Sequence, residues 1–276
     1  MIGVIWLCAR HELLLAARSR WLQSFAAVFA GLALLVAASG YVISGGYGLQ
    51  DFARTAVSLV QLVLLIVPLA ALVFGSLALS PERGSAELLY AQPVERWTIL
   101  TGRALGLFLA LAAAELIGFG VAGLAVQWYS GPSGASQFLV VVALSLALTA
   151  VFLAVAAAIT SGAPGRRARS LAMALVVWFV AVILFDLAAL GVASLLRSGA
   201  ASRLLITAAL INPVDAGRTG AYMAIEGTSA FGGASLALLR FAGGERATAA
   251  LIATSMALWI AVPAWIAARR LARTDL

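Results

Sequence analysis

Few residues in this 276-residue chain could carry covalent chemistry, and they do not combine. All 18 basic side chains are arginine. Without lysine the chain lacks the amine that a P-loop uses on nucleotide phosphates and the amine of a Schiff-base enzyme. The one histidine, His11, has no serine–base arrangement around it in the sequence, so Ser-His catalysis has nothing to build on. Cys8-x-x-His11 offers at most two metal ligands one helical turn apart, short of a closed site. The methionines Met1, Met173, Met223 and Met256 are scattered, whereas Cu(I) favours grouped soft sulfur ligands. One cysteine also excludes an internal disulfide. The expectation is a chain with no catalytic residue, no metal site and no cofactor of its own.

Three other groups of residues stand out. Glu115 and Asp186 interrupt long apolar runs. A carboxylate at mid-bilayer costs roughly 2.5–3.5 kcal/mol on insertion scales, so each must face protein, water or a partner. No arginine falls within an apolar run, which leaves hydrogen bonds to neighbours such as Ser58 and Gln61, protonation, or a polar crevice. Both a structural and a translocation role stay open. The second group is the polar stretch Ser80–Arg103, in which Glu82 and Glu87 flank a short helix with an apolar patch at Leu88, Leu89 and Tyr90. Pro93 stops it, and a second short helix runs over Glu95–Leu100. A charged rim around an apolar knob suits docking to a soluble partner, although an ordinary solvated loop has the same composition. The third is Asn212-Pro213-Val-Asp215-Ala-Gly-Arg218, a turn that opens a helix with Asp215 near its N-terminus. Partner docking and a purely structural turn are equally compatible with it.

The elements that position these residues follow from composition. The chain is 63% hydrophobic and 11% charged, with mean hydropathy +1.06, which excludes a soluble globular domain. The net charge of +7 does not indicate nucleic-acid binding, because the arginines lie in short runs between apolar stretches. Six runs are long enough to cross a bilayer, at Leu22–Ile43, Ala56–Leu79, Ala104–Trp128, Phe138–Thr160, Leu171–Leu196 and Ala247–Ala268. Each must be a helix, since lipid offers no partner to backbone groups. Residues 1–21 alternate apolar and charged residues at helical spacing and read as an interfacial amphipathic helix. Their charges argue against a cleaved signal peptide. With the N-terminus inside, the inner segments hold 12 arginines and the outer ones 6. Both termini are therefore expected in the cytoplasm. Trp21, Trp97, Trp128, Tyr129 and Trp265 near run ends suit interfacial anchors. The fold class is all-α and polytopic, one membrane domain over 1–276 with an outer loop at 197–246. No internal repeat supports an inverted-repeat transporter.

Glu-Arg-Gly-Ser-Ala-Glu-Leu-Leu followed by Pro-Val-Glu-Arg-Trp-x-Ile-Leu-x-Gly-Arg resembles the coupling-helix segment of type 2 ABC exporter permeases. The similarity implies that Glu82, Arg83, Glu87, Leu88, Pro93 and Arg96 engage a separate cytoplasmic ATPase, which would hold ATP and Mg. It also implies a homodimer in a bacterial inner membrane. Trp178–Asp186 and Asn212–Arg218 are similar to the NosY-type permeases of nitrous oxide reductase maturation. That narrower resemblance implies a NosF-like ATPase and a periplasmic NosD-like β-helix protein, working towards a copper-sulfide site. It gives Asn212, Pro213, Asp215 and Arg218 the periplasmic partner contact. A non-transporting scaffold and a general drug or lipid exporter are the other readings that this architecture allows.

Overall fold

A computed structural model describes residues 2–43, 51–80, 94–130, 135–161, 166–226, 239 and 241–273. Every regular element among them is helical. A first helix, α1 (Ile2–Arg18), precedes five further long elements: α2 (Arg20–Ile43), α3 (Asp51–Ala78), α4 (Arg96–Ser130), α5 (Ala135–Ser161) and α6 (Arg167–Phe179). A π-helical turn, Val180–Leu184, joins α6 to α7 (Phe185–Ser194) in one continuous rod. Then come α8 (Ser198–Ile211), α9 (Pro213–Glu226) and α10 (Glu245–Arg273). Six stretches are long and apolar enough to span a bilayer, namely α2, α3, α4, α5, the α6–α7 rod and α10.

The helices stop where their chemistry changes. Ser19 breaks α1 from α2, and the Gln23 side chain donates to the Ala17 carbonyl at 3.0 Å, closing one orphan acceptor of the α1 end. Arg18 in the last turn opposes the negative end of that helix dipole. Pro68 and Pro263 both lie inside long helices. The expected short helix over Glu95–Leu100 is not a separate element. It is the first turn and a half of α4, because nothing between Leu100 and Ala104 breaks a helix except Gly102, which packs against α1.

The core lies between α2, α3, α4 and α5. Phe29, Leu59, Val63, Leu72, Leu111 and Leu148 are buried there. Aromatic rings link these helices: Phe29 meets Phe119 edge-on at 5.3 Å between centroids, and Phe119 meets Phe138 at 5.9 Å. The α6–α7 rod is different, with only 6% of its apolar window buried by the chain itself. Val176, Phe179, Leu184, Leu187 and Leu190 are left for lipid or another subunit. Trp21, Trp97 and Trp265 are exposed near helix ends, as interfacial anchors require.

The segment expected to be an outer loop is the largest departure. Helices α8 and α9 form a hairpin that turns back into the bundle. Its turn at Ile211–Asn212 meets Ala181, at the midpoint of the 28-residue span Arg167–Ser194, and Trp259, at the midpoint of the 29-residue span Glu245–Arg273. Each arm has 14 residues, so at 1.5 Å per residue it reaches about 21 Å from its mouth.

Candidate functional site

The arginines at one end of the bundle fasten helix ends together. Arg103 in α4 donates its Nε to Glu12 Oε2 of α1 at 2.9 Å, and its Nη2 to the Ala78 carbonyl at the end of α3. Glu12 is buried, and the pair borders a cavity between α1, the end of α3 and the start of α4. Arg96, the one described member of the expected coupling set, reaches the Leu271 carbonyl of α10 at 3.4 Å. Arg270 of α10 donates to the Ala158 carbonyl of α5 at 2.9 Å. Leu79, Leu100, Ala157, Ala267 and Leu271 form a small apolar cluster beneath these bonds. The ends of α1, α3, α4, α5 and α10 are thereby held as one block.

Gly102 and Gly106 explain how α1 comes so close. A Cβ on Gly102 would lie 2.6 Å from the Cys8 Cβ and 2.7 Å from the Ile5 carbonyl oxygen. One on Gly106 would overlap the Ala9 carbonyl. The Gly-x-x-x-Gly spacing is a seat for the α1 backbone, the small-residue device of membrane helix pairs. Glu82, Arg83, Glu87, Leu88 and Pro93 lie outside the described residues.

A second polar centre sits at the hairpin turn. Breaking a helix inside a bilayer frees backbone groups that must find partners. Here they do. The Leu210 carbonyl accepts from Ser255 Oγ at 2.6 Å and the Ile211 carbonyl from Trp259 Nε1 at 2.7 Å. Asn212 Oδ1 accepts from the Val214 amide at 3.1 Å, capping α9 as the Asn-Pro sequence leads one to expect. Its Nδ2 donates to the Ala181 carbonyl, within the π turn, at 2.7 Å, and to Asp215 Oδ2 at 3.2 Å. Such π turns occur often at functional sites.

Arg218 on α9 completes this centre. Its Nη1 lies 2.7 Å from Asp186 Oδ2 and 3.1 Å from Asp215 Oδ1. Asp186 therefore does have a cationic partner, contrary to the expectation from apolar runs alone. Arg218 had been counted as an outer-loop charge, and the return of the hairpin into the bundle brings it to the acid. On α3, Gln61 donates to the Tyr222 hydroxyl of α9 at 2.6 Å, not to either acid. Glu115 is instead bound on α5, where Ser145 Oγ donates at 2.7 Å and Thr149 Oγ1 at 2.5 Å. It is 1% exposed, so it is an interhelical hydrogen-bond site and does not line a crevice.

The same geometry locates the residues of the partner-contact expectation. Asn212, Pro213 and Asp215 are buried inside the chain, and Arg218 faces Asp186 and Asp215. Their polar atoms hold the hairpin to the π turn and to α7. Sequence reasoning missed the hairpin bonds of Ser255 and Trp259 altogether. The signal available was the 14-residue apolar helix just before Asn-Pro, too short to span and too apolar for a solvated loop.

The family model described as "ABC-2 family transporter protein" matches residues 6–276. The chain is also similar to the "Probable ABC transporter permease protein NosY" of Pseudomonas aeruginosa, 34% identical over 271 residues, which covers 96% of this chain and 94% of that protein. The protein of the same description from Stutzerimonas stutzeri is 33% identical over 277 residues, covering 95% and 93%.

Proposed function

Because this chain belongs to the ABC-2 family of membrane transporter proteins, we propose that it is the permease subunit that carries the motion of a separate ATPase across a bacterial inner membrane, with both termini cytoplasmic. The chain forms a single membrane domain and works as a homodimer. The exposed apolar face of the α6–α7 rod is the surface available for the second copy. The segment over residues 80–103 contacts the ATPase through Glu82, Arg83, Glu87, Leu88, Pro93 and Arg96, and the ATPase supplies ATP and Mg.

One observation carries this reading: the segment leads straight into α4, whose first turns are fastened to α1, α3 and α10. A push at Arg96 moves five helix ends together rather than bending one. Away from that block, the polar turn at Asn212 and the Arg218–Asp186 pair tie the hairpin to the rod, so displacement of the block shifts the hairpin against α6 and α7. By its similarity to the NosY proteins, the chain works with a NosF-like ATPase and a periplasmic NosD-like β-helix protein in assembling the copper-sulfide site of nitrous oxide reductase. The relay can serve export of a small species or signalling without cargo. The inward bonding of the hairpin's polar residues favours signalling, since they are occupied in holding the turn.

The test is Glu87→Arg in the complex co-expressed with its ATPase. Loss of co-purification, or ATPase activity that no longer responds to the permease, is expected. A complex that assembles and hydrolyses normally would refute this placement of the interface. ATP-dependent uptake into inverted vesicles would decide for export over signalling.

A further inference from the structure

The hairpin is held to the rod by charges that do not balance. Asp186 and Asp215 bring two carboxyl groups to one guanidinium, both on Arg218 Nη1, at 2.7 and 3.1 Å. Asp215 sits in the first turn of α9, where the helix dipole also favours negative charge. Asp186 follows the π turn in an unbroken rod and has no free helix end beside it. One acid is thus compensated and the second is not. The two carboxyl groups also lie within hydrogen-bonding reach of each other. A pair of ionised carboxylates has no hydrogen to share, so that contact is favourable only with a proton in it.

The elements packed around the three side chains supply no further counter-charge. Among the described residues, no other ion pair reaches them. Helix α5 has no charged residue over Ala135–Ser161, and Glu115 is bound on its other contact, by Ser145 and Thr149. Arg197 and Arg203, at the start of α8, are exposed. Asp51 and Arg54 stand at the start of α3, before Gln61, whose amide holds the Tyr222 hydroxyl one turn beyond Arg218. On α10 the charges lie at the two ends, Glu245 and Arg246 at its start and three arginines near its finish. Ser255 and Trp259, which meet the hairpin turn, lie between them. The rod's other charges, Arg167 and Arg169, are in its first turn.

We propose that Asp186 and Asp215 share one proton while the hairpin is docked, which makes the Arg218 contact a pH-sensitive latch between hairpin and rod. Docking raises the proton affinity of the pair, because moving the acids apart removes their repulsion. The latch is therefore complete below the pH at which the separated acids titrate, and weakens as pH rises through the titration of the docked pair. It tightens in acid and slackens in alkali. A proton reaches it without unfolding, since the Asp186 and Arg218 side chains are 28% and 26% exposed. Asp186 and Arg218 stand on the mouth side of the hairpin turn, so with both termini cytoplasmic the latch samples the outer face. It needs no ATPase, and its failure would leave the relay standing.

Hydrogen exchange of the full-length chain in nanodiscs tests this, with protection at Val214 and in the π turn followed from about pH 6 to about pH 9. Wild-type protection should fall as pH rises, by at most about tenfold per pH unit, because one proton is released. Asp186→Asn and Asp215→Asn keep the side-chain shape and remove the shared proton, and each should flatten the dependence. Glu115→Gln changes the buried acid outside the latch and should keep the wild-type slope. Infrared difference spectra between the two pH extremes give a second reading. A protonated carboxyl band should be lost on going to high pH in the wild type and in Glu115→Gln. Protection that does not change with pH, a slope that survives Asp186→Asn, or a slope and band that vanish in Glu115→Gln would each overturn the proposal. Size-exclusion elution identifies any variant that fails to fold, and the infrared comparison of wild type with Glu115→Gln decides even if an aspartate variant does.

Discussion

The arrangement around Arg218 predicts an asymmetry that contact removal alone would not give. Both Asp186 and Asp215 lie on the same guanidinium nitrogen, at 2.7 and 3.1 Å, so their carboxylates stand within about 6 Å of each other. Replacing Asp186 by Asn leaves Arg218 paired with Asp215 and a neutral amide of the same shape. The expected cost is about 1 kcal/mol, that of weakening one hydrogen bond. Replacing Arg218 by Gln leaves two facing carboxylates. At an effective dielectric of about 20 and 5 Å, their repulsion is at most about 3 kcal/mol, since one carboxylate can take up a proton instead. The Arg218 and Asp186 side chains are 26% and 28% exposed, which lowers this to about 2 kcal/mol, to be added to the lost attraction. Arg218→Gln should therefore cost about 3 kcal/mol, near the low end for breaking a buried pair. The double variant, with one carboxylate left, should be more stable than Arg218→Gln alone. Denaturant titration of the purified chain in mixed micelles, followed by tryptophan fluorescence, measures all four proteins of the cycle. If the double variant is less stable than Arg218→Gln, and the two effects simply add, the three side chains do not act as a unit and the reasoning fails.

Two further variants probe the fastened block and the hairpin turn separately. Gly106→Val places a branched side chain where the Ala9 carbonyl lies, and should release α1 at a cost of at least about 1–3 kcal/mol, detected as faster proteolysis within residues 2–18 while the six spans stay protected. Asn212→Ala removes the α9 cap and the bond to Ala181, an expected loss of about 1–2 kcal/mol, with amide exchange raised at Val214 and in the π turn but not at Arg103.

What could be read from the sequence divides along one physical line. The six spans are visible because hydropathy over some 20 residues is a property of the segment alone. Thus the run at Leu22–Ile43 becomes α2 at Arg20–Ile43. The asparagine cap and the turn at Pro213 were also legible, since capping depends on neighbours in the chain. A Gly-x-x-x-Gly spacing such as Gly102–Gly106 permits close approach without saying to what, because α1 is distant in sequence. Hidden from any local reading was the pairing of Arg218 with Asp186. Counting arginines by loop assumes that each loop stays outside, and α8 is a helix apolar enough to return among the spans. The partners of Glu115 were obscured for a related reason: Ser145 and Thr149 are four apart on α5 and face the acid only once α4 and α5 are packed.

The two polar centres differ in a way that bears on how motion could pass between them. At the fastened end, Arg103 bridges side chain to side chain and side chain to backbone over three helices, above a small apolar cluster. Moving any one of those helices strains several bonds at once. At the hairpin turn, apart from the Arg218–Asp186 pair, each bond joins a single atom of the hairpin to a single neighbour: Ser255, Trp259 and Ala181. Such bonds in membrane proteins average well under about 1 kcal/mol each. Exchange of one at a time is therefore inexpensive relative to displacing the block. The π turn beneath Asn212 has the same character, since one helical turn there already departs from the α pattern. If the block rotates when the ATPase closes, the weakest path for the strain leads to the Asn212–Ala181 contact. On the proposed relay the moving part would be the hairpin, and Arg218 would hold it to the rod between cycles.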